Sequence, residues 1–385
     1  MHIYTSEATH VAERPAAARA TRLIFLLSGI AMAAWAPMVP YAKARLGLDD
    51  AALGQVLLAF GGGSMLSMPL VGGLAHRYGN HRVIGLAGAL LCLALPVLAL
   101  VSNALALTLA LFYFGAMLGA VDVAMNAHAV EVERQAGRPL MSGFHGLFSI
   151  GGLAGAAGMS AMLALGLPLP ACALAVSALL ALILLTQQAH LLRTRDTTES
   201  TFVFRLPRGA LLLVGAMCFV SFLAEGSMLD WSALLLRDFH GYTAASAGVG
   251  YACFSVAMAL GRLTGDRMIG RLGPVWTVRM GAALAAAGFL VATTLPWHAA
   301  ALFGFVLVGL GAANLVPMMF SAAGRMPNVP PAISIAAVTM LGYAGLLLGP
   351  ALIGFLAHRT SLPFALAAVG GLLVLVAASA KVVRQ

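Results

Sequence analysis

Charge is what this chain has least of. Asp, Glu, Lys and Arg make up 9% of its 385 residues, where a soluble domain carries roughly a quarter. The shortage excludes an ordinary water-soluble fold, whose surface needs those groups. Lys and Arg total 22 against 13 Asp and Glu, and the isoelectric point is about 9.9. No polar stretch is long enough for a nucleic-acid-binding domain, so the basic balance does not imply nucleic acid as a partner. Cysteine is scarce as well. Cys92, Cys172, Cys218 and Cys253 lie inside apolar segments without paired spacing, which excludes a disulfide framework and a metal site. A glycine-rich Lys-Ser/Thr phosphate loop and metal-ligand spacings are missing too. The chain is therefore not expected to be an enzyme, and no cofactor is expected. Uphill work on a solute would have to draw on an ion gradient. Protons are the expected source, since nothing singles out a sodium site. Alternating ten-residue blocks, the mark of a membrane β-barrel, are also absent.

What is abundant is apolar sequence: 61% hydrophobic residues and a mean hydropathy of +0.95. A helix needs about 20 apolar residues to cross the hydrocarbon layer, and backbone in lipid must satisfy its own hydrogen bonds. The pattern predicts an all-α protein with twelve transmembrane helices near 18–42, 51–76, 82–101, 104–130, 140–165, 168–189, 208–237, 242–268, 274–295, 297–323, 331–357 and 361–381. Breaks fall at turn-forming pairs such as Gly79-Asn80, Gly273-Pro274 and Pro330-Pro331. Of the 22 Lys and Arg residues, only Lys43, Arg45, Arg237 and Arg359 fall on one side of these spans. The remaining eighteen place both termini on the expected cytoplasmic side. Arg22 followed by Leu23–Ala33 also resembles a signal peptide. The apolar run continues through Trp35 and Val39, however, and the charge balance holds only when the span is kept. Residues 1–17 read as a short cytoplasmic tail.

The one long polar interior segment, 190–207, divides two six-helix bundles at 18–189 and 208–385. The halves repeat at an offset of 194. Gly54, Leu66 and Gly79 fall on Gly248, Leu260 and Gly273, and Gly151 and Gly155 fall on Gly345 and Gly349. Six helices per half give both halves the same orientation, the parallel-repeat arrangement of transporters. Gly151-x-x-x-Gly155 and Gly345-x-x-x-Gly349 permit close helix approach.

The segment after the second span reads Gly72-Gly73-Leu74-Ala75-His76-Arg77-Tyr78-Gly79-Asn80-His81-Arg82. It is similar to the loop signature of the major facilitator superfamily (MFS), with His76 in place of the usual aspartate. The segment Gly261-Arg262-Leu263-Thr264-Gly265-Asp266-Arg267 carries both acid and base after the eighth span. The stretches Gly119–Asn126 and Glu225–Ser232 resemble the YbjJ-type bacterial inner-membrane subgroup near the fucose permeases. The resemblance implies the MFS fold and alternating access. It also implies a cytoplasmic gate formed by Gly72, Arg77, Gly79 and Arg82 together with Gly261, Arg262, Asp266 and Arg267. Helices 1, 4, 7 and 10 would line the central cavity.

Ionisable groups within the bilayer are costly and mark function. Asp122 on helix 4 and Glu225 near the middle of helix 7 are the candidate proton-coupling groups, since low dielectric disfavours the charged carboxylate. Asp122 can instead pair with Arg134 or cap a broken helix. Asp230 reads as an outer gate or a substrate contact. Asn126 shares a face with Asp122, and His145 is expected at its depth, able to relay protons. His128 reads as an interfacial helix-end group. Trp35 and Trp231 can stack on a sugar ring or sit in the interfacial belt. Tyr251 and Asn314, like Gln55, can contact substrate or bond another helix. No basic residue is seen in mid-bilayer to pair with the acids, which favours a neutral solute or a cation.

The expected function is proton-coupled uptake of a small neutral, sugar- or polyol-like metabolite by a monomer whose partners are solute, protons and lipid. Proton-antiport efflux is the alternative. In drug antiporters of the superfamily the chain resembles, a glycine-rich motif ending in Gly-Pro lies on helix 5; here that pair lies on helix 11, at Gly349-Pro350, which weakens the efflux reading. A membrane sensor that binds without transporting is the reading from another class.

Overall fold

The computed structural model describes residues 3–48, 50–193, 208–242, 249–327 and 329–384. Most of the expected 190–207 linker therefore lies outside the described residues. Among the described residues every regular element is helical. The first half contains α1 (Ile3–Ala34), α2 (Val39–Leu46), α3 (Asp50–Tyr78), α4 (Asn80–Leu100), α5 (Ala104–Ala136), α6 (Met141–Ala164) and α7 (Leu169–Gln187). The second contains α8 (Ala210–Phe239), α9 (Val249–Leu272), α10 (Pro274–Thr294), α11 (His298–Ala312), α12 (Leu315–Gly324), α13 (Pro331–Arg359) and α14 (Leu362–Ser379).

Among the described residues eleven helical stretches are long and apolar enough to cross a membrane. The expected eighth span, α9, is not among them, because Arg262, Asp266, Arg267 and Arg271 charge its second half. Their faces show the inversion a lipid environment demands: Leu86, Leu105, Leu153 and Leu185 are all exposed.

Two expected spans are each broken into two helices. The first is interrupted by a 3₁₀ turn at Ala36–Met38, where Pro37 and Pro40 remove backbone donors. α1 also begins at Ile3, within the expected tail; Ala16-Ala17-Ala18 favours helix there. The second break is at Ala313-Asn314, between α11 and α12. Asn314 stands at φ −106° and ψ 1°, outside helical geometry.

The 194 offset recurs in the coordinates. α4 and α10 begin and end at matching positions, and Gly79 and Gly273 each form the whole junction before them, at φ 88° and φ 77°. Both donate their N–H four residues back, to Ala75 O and Ile269 O. Only glycine takes this left-handed φ without strain.

Two compact units emerge, one from Met1–Arg138, Leu147–Phe204 and Val329–Ala336, the other from Pro139–Gly146, Arg205–Asn328 and Ala337–Gln385. In the first, α3 runs along α5, α4 packs on α5 and α7, and α1 packs on α5 and α7. The second repeats this pairing with α9 on α11, α10 on α11 and α14, and α8 on α12 and α14. In the first unit Gly151 and Gly155 lie directly against the Leu26 and Ile30 carbonyls of α1, leaving no room for a Cβ. That is the close approach their spacing announced.

Candidate transport site

The segments expected as gate loops are helical. Gly72 to Tyr78 complete α3, and only Gly79 is a turn. Gly261 to Arg267 lie in the interior of α9. The family resemblance put them in loops. Here Arg262 and Asp266, one turn apart, share one face of the helix. Arg262 is only 7% exposed, while Arg77, Arg82 and Arg267 are exposed. Arg77 lies over the Tyr78 ring at 5.3 Å.

This placement overturns the expectation that no base meets the membrane acids. Arg262 Nη2 donates to Glu225 Oε1 at 3.2 Å and Oε2 at 3.3 Å, and the side chains are 9% and 17% exposed. Glu225 comes from the middle of α8. A buried charge that lost its partner would bear the full desolvation cost, so the two residues hold one another in place.

Arg262 also donates from Nε to Ala313 O at 3.3 Å. Ala313 ends α11, whose last carbonyls have no intrahelical partners. A cation suits that negative helix end. Asn314, buried at 3%, donates from Nδ2 to Gly261 O at 3.3 Å. Its Oδ1 meets Ser142 Oγ, a very short contact, and Ser142 Oγ also lies 3.0 Å from Arg262 O. One hydroxyl proton serves these two acceptors by turns. A Cβ on Gly265 would overlap both Asn314 Oδ1 and Ser142 Oγ, so only glycine leaves room for the cluster. Of its two readings, Asn314 thus takes the one in which it bonds another helix.

Ser142 and Gly143 open α6, and both amides point at Asp266. Ser142 N donates to Oδ1 at 3.0 Å and Gly143 N to Oδ2 at 2.9 Å. The carboxylate thereby satisfies two of the four orphan donors at a helix start and meets its positive end. The repeat offers a control. Asp266 is matched by Gly72 and Ser142 by Ala336, and those two also meet: a Cβ on Gly72 would approach Ala336 Cβ to 2.9 Å. One half uses bare packing where the other uses charge.

In the first unit Asp122 is half-buried, and Asn126 is fully buried. Asn126 Nδ2 donates to Asp122 O at 2.9 Å and Oδ1 at 3.2 Å, while Asn126 Oδ1 is buried without a partner. Neither structural alternative for Asp122 applies. Arg134 pairs with Glu131 at 2.7 Å, and α5 is continuous.

His145 belongs to the second unit, where its Nδ1 is 3.0 Å from Met141 O and its ring lies 5.7 Å from Phe320. His128 is buried rather than interfacial, at 1% exposure. Leu192 N donates to its Nε2 at 2.8 Å, so Nε2 carries no proton. Nδ1 must then be the donor to Thr21 Oγ1 at 3.1 Å, and Thr21 passes its own proton to Ala17 O.

Trp35 is buried at 8%, and Trp231 packs on Gly354 with its Nε1 buried and unpartnered. Asp230 is exposed, and Tyr251 is exposed beside Phe254. The sequence reading missed Ser142 altogether. No local signal marked it, since its hydroxyl partners, Arg262 O and Asn314 Oδ1, are distant in sequence.

The arrangement is a set of ionisable and amide groups fixed inside apolar helices, with no metal-ligand cluster among the described residues. Comparison with known proteins agrees with it. The family model for the Major Facilitator Superfamily matches residues 23–332. An uncharacterized MFS-type transporter of Yersinia pestis is 49% identical over 365 residues, covering 95% of each chain. The solved MFS transporter FucP, in its outward conformation, superposes with a TM-score of 0.82 at 18% identity, covering 96% of this chain and 98% of its own. The proton:xylose symporter XylE bound to 6-bromo-6-deoxy-D-glucose gives 0.73 at 14%, covering 96% and 95%. With the family model matched over most of its length and a close relative in the same family, the chain belongs to the Major Facilitator Superfamily and is a multi-pass membrane transporter, not an enzyme.

Proposed function

We propose that this transporter works in a bacterial cytoplasmic membrane as a monomer. It takes up a small polar metabolite together with protons, and Glu225 is the group that loads the proton. The observation that carries this reading is the Glu225–Arg262 pair within apolar helices. Two charges are costly there, and a stable core would be as well served by two apolar residues. A carboxylate facing an arginine has two useful states. Ionised, it holds the guanidinium. Protonated, it releases it.

Net charge at this pair is zero, so the neutral, sugar- or polyol-like solute stays the favoured substrate class even though a base is present. The Asp122–Asn126 pair supports the same class, because a carboxylate accepts hydroxyl protons and an amide both gives and accepts them. The test is transport in proteoliposomes under an imposed pH gradient, over a panel of sugars, polyols, nucleosides and amines. Accumulation of a panel member when the outside is acidic supports uptake with protons. Accumulation only when the inside is acidic would replace it with exchange against protons.

A further inference from the structure

We propose that Asn314 and Ser142 are positioning residues that transmit the state of the Glu225–Arg262 pair to the start of α6. This deepens the reading of Glu225 as the proton-loading group and rests on it.

The first observation is the break itself. Position 314 interrupts α11–α12, while α5 runs unbroken through Ala120, its match in the repeat. Every side of the break is tied. Arg262 holds Ala313 O, Gly261 O receives the Asn314 amide, and Asn314 Oδ1 meets Ser142 Oγ. The second observation is where Ser142 stands. It and Gly143 supply the amides that Asp266 accepts. At a helix start such amides have no intrahelical acceptor. A continuous chain of contacts therefore runs from Glu225 through Arg262, the joint and Ser142 to Asp266.

The physical step is a change of partners. Arg262 is the charged group facing Glu225 from α9. α11, α12, α13, α14 and the 3₁₀ turn Ala380–Arg384 also pack on α8; α12 and α14 carry no ionisable residue, while α11 carries His298, α13 carries Tyr343, His358 and Arg359, and the turn carries Lys381 and Arg384. His145 of α6 lies within electrostatic reach of Arg262. When Glu225 takes up a proton, Arg262 keeps its charge and loses its carboxylate. It still holds the carbonyl of Ala313, at the negative end of α11. A guanidinium drawn further onto that carbonyl moves the joint. The Ser142 proton, shared between Arg262 O and Asn314 Oδ1, must be shared differently. The amides beside it then bind Asp266 more or less tightly.

Nothing of this exists at the matching positions of the repeat. The positions matching Glu225, Arg262, Asp266, Asn314 and Ser142 are Ala31, Met68, Gly72, Ala120 and Ala336. The device is one-sided.

The Ser142 and Gly143 amides are themselves the readout, by hydrogen–deuterium exchange on the full-length purified protein. Glu225→Gln, which mimics the protonated acid, is expected to change their exchange rate about tenfold, within the usual size of coupling between sites. In the Asn314→Ala background, and separately in Ser142→Ala, the same substitution is expected to have less than about a twofold effect. Ser142→Ala removes only a hydroxyl, so the test survives if Asn314→Ala fails to fold. A shift of undiminished size in both backgrounds would overturn the relay. No shift in the parent, with an infrared carboxyl band that titrates in the parent and is lost in Glu225→Gln, would overturn the relay and leave Glu225 as the proton site. No such band at all would overturn both.

Discussion

The Glu225–Arg262 pair lends itself to a quantitative test. One Nη2 contacts both carboxylate oxygens at 3.2 and 3.3 Å, and neither side chain is more than 17% exposed. With charge centres about 4 Å apart, an effective dielectric near 20 gives an attraction of about 4 kcal/mol. Contact through a single nitrogen is poorer than a two-pronged fork, so about 2–3 kcal/mol is the expected coupling, within the range measured for close charge pairs. Arg262→Met should destabilise the protein by about 3 kcal/mol, because a carboxylate is left buried without its cation. Glu225→Gln in that background should restore most of the loss. The assay is a double-mutant cycle on reversible unfolding in mixed micelles. A coupling below about 0.5 kcal/mol, the level of an exposed surface pair, would refute the claim that these charges depend on one another.

Three further outcomes are expected. Asp266→Asn removes the charge that faces two helix-start amides and should loosen the start of α6 by about 1–2 kcal/mol, seen as roughly tenfold faster exchange at Ser142 and Gly143; unchanged exchange would make Asp266 a bystander. Asn126→Ala should weaken binding of a transported solute about tenfold, while Asp122→Asn should also flatten the pH dependence of binding; calorimetry that finds both variants binding like the parent would leave this pair structural. In a cysteine-less background, a cysteine at Thr198 should react only with membrane-permeant reagent and one at Ser102 with impermeant reagent, and the reverse pattern would invert every loop.

The fold was legible because lipid imposes so few options. Apolar length located the helices, and the 194 offset predicted junctions that Gly79 and Gly273 form. The site was less legible, and Arg262 shows why. Its charge reads as a loop residue in one dimension, and its burial depends on α9 turning that face toward α8 and α11. The break at Asn314 was marked by Pro317, which has no N–H to offer Ala313 O four residues back, but the bonds that hold the joint come from residues far apart in sequence. His145 was placed by its distance along the chain alone, which could not show that the first turns of α6 group with the second unit.

The single-residue junctions at Gly79 and Gly273 set the mechanical freedoms of the chain. One residue offers two soft torsions, and a loop of that length stores no slack. α3 cannot slide past α4, nor α9 past α10, without dragging its neighbour; each pair acts as one lever with a stiff elbow. Compliance has to be found elsewhere, and the Ala313-Asn314 joint supplies it inside what would otherwise be a single rigid rod. An added residue at either elbow would therefore disengage a lever while leaving every packed face intact, much as a worn linkage spoils a machine whose parts are all sound.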